Sequence, residues 1–226
     1  MKAKTPLKEA SFYRYATVLV IVIPFLLYIS ALRLGFVYFD DDILILINYE
    51  KISNLTNLGK AFRSDAFFAN LSPYYRPLQN VSFMLESIVG GKSPFIYHLG
   101  NVLLHLLTCF SLYKLLMQLR FSKPKVFLAS LIFSVHPMVG HAVLWIPARG
   151  DILVTLFGLM AFSMLINYLN ERKIHQLLLH VVFLAGALFS KESGIFFPVL
   201  FFLYFILIKE KLLKIKNIYV YLSWFS

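Results

Sequence analysis

Repeated apolar runs, several of them long enough to cross a lipid bilayer, constrain this chain more than any other feature. A membrane-spanning helix needs about 20 apolar residues, and the first run covers residues 15–35. The chain is 59% hydrophobic, which is too apolar for a soluble domain of its length. The sequence therefore predicts an all-α integral membrane protein, one polytopic domain over residues 1–226 with about six to seven transmembrane helices. The predicted spans are 15–35, 96–117, 124–145, 152–169, 176–190, 194–208 and an incomplete run at 218–226.

The longest polar segment separates the first two spans, at residues 38–95. Its apolar residues recur at helical spacing, which predicts amphipathic helices lying on the membrane surface. They are Leu55, Leu58 and Phe62, and then Leu78, Val81, Met84, Leu85 and Ile88. The glycine pair Gly90–Gly91 marks the end of the second helix. We expect this segment to be one long extracytoplasmic loop.

The distribution of charge orients the chain in the membrane. When the N-terminus is placed in the cytoplasm, most lysines and arginines fall in cytoplasmic segments and most acids fall outside, as the positive-inside rule requires. The net charge of +11 then lies on the cytoplasmic side. The excess of basic residues therefore indicates the orientation of the chain and an attraction to the lipid bilayer, and it does not indicate nucleic-acid binding.

This orientation places the unusual polar groups on the extracytoplasmic face, at the depth of lipid headgroups. Three carboxylates in a row follow the first span, and acidic, basic and imidazole groups recur at the later span boundaries. A polyprenyl-phosphate sugar would present its phosphate at this depth, where cations hold it and a carboxylate takes the proton of an acceptor hydroxyl. The candidate base is Asp40, Asp41 or Asp42; the candidate donor-phosphate or substrate-binding residues are Arg76, His98, His136, His141, Arg149, Asp151, Lys191 and Glu192.

Four blocks of sequence, in the same order, resemble the multi-span C-type glycosyltransferase superfamily, specifically its protein O-mannosyltransferase-like branch, whose members often carry tetratricopeptide repeats. The blocks are 36–42, then 75–78 with 98–105, then 136–151, and finally 191–195. The resemblance implies that the acidic motif after the first helix holds the catalytic aspartate, among Asp40, Asp41 and Asp42, with Asp41 slightly preferred. It also implies donor-phosphate or acceptor contacts at Arg149 and Asp151. The expected reaction is inverting transfer of a mannose-like sugar from a polyprenyl- or dolichyl-phosphate donor to a hydroxyl of a protein or lipid-linked acceptor.

The chain departs from this branch at one motif. Family members often have an acid shortly after the His-Pro pair, where this chain has Gly140–His141. No set of His, Cys or acidic residues has convincing metal-ligand spacing, so nothing in the sequence supports a divalent metal. The membrane is expected to be a bacterial plasma membrane or an endoplasmic reticulum, with the active face outside the cytoplasm.

Structural interpretations compete with the functional ones. The aspartates also fit a solvated helix end, and Arg149 with Asp151 fits an ion pair across a turn. A transporter or flippase for lipid-linked substrates is a second hypothesis, although it predicts charges in mid-membrane. A third is a non-catalytic, truncated fragment, because the last apolar run is cut off at Ser226.

Overall fold

The computed structural model describes residues 6–69, 72–208, 220 and 224. Every regular element in this part of the chain is a helix, which confirms the predicted all-α class. The α-helices are α1 (Pro6–Tyr28), α2 (Tyr49–Ile52), α3 (Leu58–Ala61), α4 (Pro77–Gly90), α5 (Pro94–Gln118), α6 (Lys123–Val135), α7 (Pro137–Leu144), α8 (Arg149–Glu171), α9 (Ile174–Leu188) and α10 (Phe196–Ile208). Short 3₁₀ turns (Ile29–Arg33, Leu55–Asn57, Ile146–Ala148 and Glu192–Ile195) and a π-helix (Asp42–Ile47) join them.

Three described helical segments are long and apolar enough to cross a membrane: Tyr15–Arg33, Pro94–Gln118 and Ile146–Glu171. A fourth is obtained if α6 and α7 count as one broken span. The helices α9 and α10 are apolar but short, and most of the run at 218–226 lies outside the described residues. The predicted total of six to seven spans is therefore not confirmed.

The predicted span at residues 124–145 is not one continuous helix: the chain bends by 51° between α6 and α7, which form either a broken span or a re-entrant loop. Pro137 opens α7, and a residue before proline disfavours the helical conformation. His136 accordingly takes an extended conformation (φ −65°, ψ 132°) and ends α6. A second correction concerns Arg149–Asp151, predicted as a tight turn, which forms the first turn of α8.

The membrane helices pack around α8, which lies against α5 on one side and α9 on the other. A residue with a left-handed backbone conformation follows each of two long helices: Arg120 (φ 61°) after α5 and Arg172 (φ 58°) after α8. Such a residue lets the chain leave a helix sharply. Short connections therefore keep α5 and α8 antiparallel to their successors.

The segment between α1 and α5 folds over the start of α5 and has an apolar core of its own. The core residues are Leu44, Ile45, Ile52, Ala61, Phe68, Phe83, Met84, Tyr97 and Ile146. The helix predicted around Leu78–Ile88 is confirmed as α4, whereas the residues around Leu55–Phe62 form only short turns. This core positions α4 against the beginnings of α5 and α8, where most of the predicted site residues lie.

Candidate functional site

The three adjacent aspartates lie in different environments. Asp41 is fully buried (0% exposed), whereas Asp40 and Asp42 are half-buried. The backbone N–H of Val37 donates to Oδ2 of Asp41 at 2.9 Å, and Oδ1 of Asp41 has no partner among the described residues. Asp42 accepts a hydrogen bond from the N–H of Ile43 at 2.9 Å, at the start of the π-helix. Among the three, Asp41 is thus distinguished by full burial together with an acceptor oxygen that no described residue satisfies.

The apolar loop, residues 34–39, holds Asp41 in place. It follows the 3₁₀ turn at the end of the first span, and Val37, Tyr38 and Phe39 are all exposed. Tyr38 has a positive φ of 50°, which is uncommon for a residue other than glycine and costs energy. The resulting reversal returns the Val37 N–H to Asp41. The carboxylate that accepts this hydrogen bond has no exposed surface.

His98, in the first turns of α5, is a titratable residue whose charge acts on Asp41. Its side chain is 1% exposed, its Nε2 lies 3.5 Å from the carbonyl oxygen of Gly35, and its Nδ1 has no partner among the described residues. Burial raises the pKa of the Asp41 carboxyl above its ordinary value; the Val37 hydrogen bond and the charge of His98 oppose this only in part. A carboxylate with a raised pKa is a better proton acceptor at neutral pH.

An open groove of about 470 Å³ borders the apolar loop. Its lining is Leu34, Val37, Phe39, His141, Leu144 and Trp145. The Trp145 ring packs against both Phe39 (centroids 6.5 Å apart) and His141 (5.2 Å). We call this the aromatic groove. Val37 belongs both to its wall and to the hydrogen bond that fixes Asp41, so displacement of the apolar loop would join the groove to the carboxylate.

Asn101 on α5 bonds to the end of α7, which forms part of the wall of this groove. No role was predicted for it from the sequence. Its Nδ2 donates to the carbonyl oxygens of Ala142, Val143 and Trp145, each at 3.3 Å. The sequence did carry a signal. Polar residues at 98, 101 and 105 recur at intervals of three and four inside an apolar span, which places them on one buried helix face.

Arg149, predicted to contact a donor phosphate or acceptor, lies instead in a closed network. Its guanidinium is fully buried (0% exposed) and donates to Asn101 Oδ1 (2.7 Å), Glu86 Oε2 (2.5 Å), the Tyr97 carbonyl (2.6 Å) and Ser82 Oγ (3.3 Å). Such geometry satisfies most of the guanidinium donors. Arg149 therefore ties α4, α5 and α8 together and has no face open to a ligand in this structure.

Four other predicted residues form an ion-pair cluster, consisting of Arg76, Asp151, Lys191 and Glu192. Arg76 binds both carboxylate oxygens of Glu192, with a shortest distance of 2.9 Å, and Lys191 contacts Asp151 at 2.5 Å. The cluster joins the start of α4, the first turn of α8 and the turn after α9. Glu192 is 43% exposed and Asp151 47% exposed, so both pairs border the surface.

The two remaining predicted residues are exposed: His136 directly precedes α7, and His141 lies on it. Nδ1 of His136 accepts the N–H of Met138 at 3.2 Å and so caps the start of α7. His141 lines the aromatic groove. The structure thus brings His98 close enough to Asp41 for its charge to act on that carboxyl, whereas His141 and Asp151 of the ion-pair cluster line a common cavity of about 210 Å³.

The described residues contain no group of three or more His, Cys, Asp or Glu side chains arranged to hold a metal ion. Among the predicted phosphate-binding cations, Arg76, Arg149 and Lys191 are each already paired with a carboxylate. A phosphate would have to replace a carboxylate partner. Exposed pairs exchange partners at little cost, which favours Arg76 and Lys191 over Arg149.

Gly100 allows α4 to approach α5 at the Arg149 network, and its replacement tests that network. A Cβ there would overlap Oε1 of Glu86 and press on Nη2 of Arg149. We expect Gly100→Ala to lower the free energy of unfolding by about 1–3 kcal/mol, the usual cost of overpacking. Unfolding in detergent micelles would measure it.

Gly59 supplies the matched control for that substitution. A Cβ at this position in α3 would meet nothing within 4 Å. We expect Gly59→Ala to leave stability unchanged or to raise it by about 0.4–1 kcal/mol, because alanine restricts the unfolded chain. Equal effects of the two substitutions would contradict the close approach of α4 to α5.

Comparison with known proteins identifies relatives over most of the chain. A family profile described as dolichyl-phosphate-mannose-protein mannosyltransferase matches residues 80–225. Among curated proteins, Drosophila melanogaster "Protein O-mannosyl-transferase Tmtc1" is 31% identical over 176 residues, which cover 76% of this chain and 20% of the relative. Human "Protein O-mannosyl-transferase TMTC2" is 34% identical, over 65% of this chain and 18% of the relative.

A third relative, human "Protein O-mannosyl-transferase TMTC3", is 28% identical over 74% of this chain and 19% of its own length. The chain thus spans about a fifth of the length of these curated relatives. No solved structure matches it significantly.

Proposed function

The chain belongs to the dolichyl-phosphate-mannose-protein mannosyltransferase family, and on that premise we propose that it transfers a mannose-like sugar from a polyprenyl-phosphate donor to a hydroxyl group of a protein acceptor. Its relatives carry the name protein O-mannosyl-transferase, which places the chain in a glycosyltransferase class. The donor, the acceptor and the activity of this short chain are parts of the proposal. A lipid-linked acceptor is the alternative to a protein.

One observation carries the proposal: Asp41 is buried, fixed by the Val37 N–H, and has one oxygen free to accept a proton. The acceptor hydroxyl would give its proton to Oδ1 of Asp41 as its oxygen attacks the anomeric carbon. The bond from that carbon to the donor phosphate breaks, and polyprenyl phosphate leaves. A single displacement of this kind inverts the anomeric configuration.

Access to Asp41 requires movement of the apolar loop, because the carboxylate has no exposed surface in this conformation. Within the loop, Phe36 packs against the apolar core of the segment between α1 and α5. Val37, Tyr38 and Phe39 are exposed and would be able to contact a lipid surface or a polyprenyl chain. We expect donor binding to displace the loop and connect Asp41 to the aromatic groove. Conformational steps of this kind commonly accompany substrate binding.

The donor phosphate would lie near the ion-pair cluster. Arg76 offers a planar set of donors suited to phosphate oxygens, and Lys191 offers a point charge beside it. Glu192 and Asp151, which pair with them now, are surface carboxylates that water can solvate when released. Arg149 would take no part, since its partners enclose it.

The proposed orientation places the N-terminus in the cytoplasm and this site on the extracytoplasmic face. The positive-inside distribution supports it. Because the relatives named above come from animals, an endoplasmic reticulum membrane with a luminal site is favoured over a bacterial plasma membrane. The partners are then the bilayer, the lipid-linked sugar and the acceptor.

Transfer is expected to fall as pH is lowered, because Asp41 must be ionised to accept a proton. Burial raises the pKa of its carboxyl, so the midpoint of the fall should lie above the ordinary aspartate value of about 3.9. Initial transfer rates across about pH 4–8 at saturating donor would show it. A rate that stays constant through this range would argue against a carboxylate base.

The direct test of the function is sugar transfer from radiolabelled polyprenyl-phosphate sugars in membranes that contain the full chain. Label in a protein or lipid-linked product supports the proposed reaction. Absence of transfer, with recovery of activity when the chain is extended, would support the non-catalytic fragment. Movement of lipid-linked sugar across sealed vesicles without transfer would support the transporter or flippase.

A further inference from the structure

Three Asn-X-Ser/Thr sequences occur in the long segment between the first two spans, beginning at Asn54, Asn70 and Asn80. This pattern is the acceptor for N-linked oligosaccharide in the secretory pathway of eukaryotes. An attached oligosaccharide must project into solution in the folded protein, so the folded environment of each asparagine decides whether a glycan there is compatible with the native structure. Asn70 lies outside the described residues, and the comparison concerns the other two.

Asn54 lies on an exposed corner. Its side chain, like those of Leu55 and Thr56, is exposed. Its Oδ1 accepts the N–H of Thr56 at 2.9 Å and the hydroxyl of Thr56 at 2.8 Å. The amide and the hydroxyl of the sequence thus lie side by side on the surface of the protein, and neither supports the core.

Asn80 lies in the opposite environment. It is on α4, its side chain is 1% exposed, and its Nδ2 donates to the carbonyl oxygen of Asp65 at 3.4 Å. The serine of the same sequence, Ser82, is occupied by the Gln79 carbonyl and by Arg149. An oligosaccharide at Asn80 would be incompatible with the packing of α4 on the segment around Asp65.

We propose that Asn54 carries an N-linked oligosaccharide and that Asn80 does not. In this modification Nδ2 of Asn54 forms a bond to the anomeric carbon of the sugar and loses one proton. The bond from that carbon to the diphosphate of a lipid-linked oligosaccharide breaks, and the lipid diphosphate leaves. The host oligosaccharyl transfer machinery supplies this donor. The inference rests on the luminal orientation of the proposed function.

The test is the electrophoretic mobility of the full chain expressed in animal cells, with and without an endoglycosidase that removes N-linked glycans. We expect the endoglycosidase to change the mobility of the unaltered chain. This shift should be lost in Asn54→Gln and in Thr56→Ala, and retained in Thr56→Ser. Ser82→Ala removes the second sequence without altering Asn80, and it should leave the shift unchanged. Asn70→Gln removes the third Asn-X-Ser/Thr sequence and so measures any part of the mobility shift that a glycan at Asn70 contributes. No shift, or a shift that survives Asn54→Gln unaltered, would overturn the proposal.

A second measurement separates this inference from the orientation on which it rests. Cys109 is the chain's single cysteine and is buried, so Ser53→Cys in a Cys109→Ala background adds one reactive thiol beside Asn54. A membrane-impermeant maleimide is then applied to sealed microsomes. If the thiol is labelled only after the membrane is permeabilised, position 53 is luminal. Luminal labelling together with a glycan supports the proposal. Luminal labelling without a glycan overturns the glycan alone, whereas labelling of intact microsomes overturns both the glycan and the luminal active face.

Discussion

Sugar transfer by Asp41→Asn is expected to be about 10²–10⁴-fold slower than that of the unaltered chain, the usual contribution of a positioned general base. Asparagine has nearly the shape of aspartate and can still accept the Val37 N–H through its carbonyl oxygen. The substitution therefore removes the proton acceptor and leaves the geometry. Single-turnover transfer rates with donor in excess would measure the chemical step without the contribution of product release.

The same variant should not lose stability, and this result distinguishes catalysis from folding. Burial raises the pKa of Asp41, so the stability associated with its protonated form is fully present below the unfolded-state pKa and is lost as pH rises through the folded-state pKa. At neutral pH the buried charge is a cost that asparagine removes. We expect an unfolding temperature equal to or above that of the unaltered chain.

Asp40→Asn and Asp42→Asn are the matched controls. Both aspartates are half-buried, and Asp42 accepts a hydrogen bond from the adjacent Ile43 N–H. Each variant should keep most of the transfer activity. Full activity of Asp41→Asn, with loss of activity in one of its neighbours, would move the base to that neighbour; full activity in all three would contradict the assignment.

Glu86→Gln is expected to lower the free energy of unfolding by about 3–5 kcal/mol, the typical cost of breaking a buried ion pair by removing one partner. The expected loss is large because Arg149 has no exposed surface and no other acidic partner among the described residues. Glutamine can still accept one hydrogen bond, but it cannot balance the charge. Denaturant unfolding in detergent micelles would measure the loss.

Glu192→Gln provides the comparison, because it also breaks an arginine–glutamate ion pair, but at a site that water reaches. Glu192 is 43% exposed, and exposed pairs contribute about 0–1 kcal/mol. A small effect here with a large effect at Glu86 would establish Arg149 as a structural residue. If Glu86→Gln were as stable as the unaltered chain and only its apparent affinity for the donor changed, Arg149 would be a ligand-binding residue after all.

Local sequence patterns were sufficient for the class of the protein and for most helix positions. Apolar runs predicted α5 and α8, and the amphipathic spacing predicted α4, because these features depend on neighbours within a few residues. They failed at His136–Pro137, where the apolar composition continues while the backbone bends. The signal for that bend was present in the proline, although hydropathy alone does not register it.

The candidate site could be predicted only as a list of residues on one face of the membrane. Sequence order predicted that the polar blocks gather there, and the family resemblance pointed to the three aspartates. Neither indicated that Asp41 alone is buried, since all three are chemically identical and adjacent. That distinction comes from the reversal at Tyr38 and from the packing of the loop beside His98.

Partner choice was decided only by tertiary structure. Arg149 and Glu86 are 63 residues apart in the chain, and nothing in the sequence around either residue indicates that they form an ion pair. Their contact depends on how α4 and α8 approach α5, which Gly100 permits by lacking a side chain. The sequence by itself thus determined an all-helical protein with apolar helices long enough to cross a membrane, because hydrophobicity and helix periodicity are local. The fold decided which charges are closed into the framework and which remain available to a substrate, because the burial and pairing of a charge depend on residues that are distant in the chain.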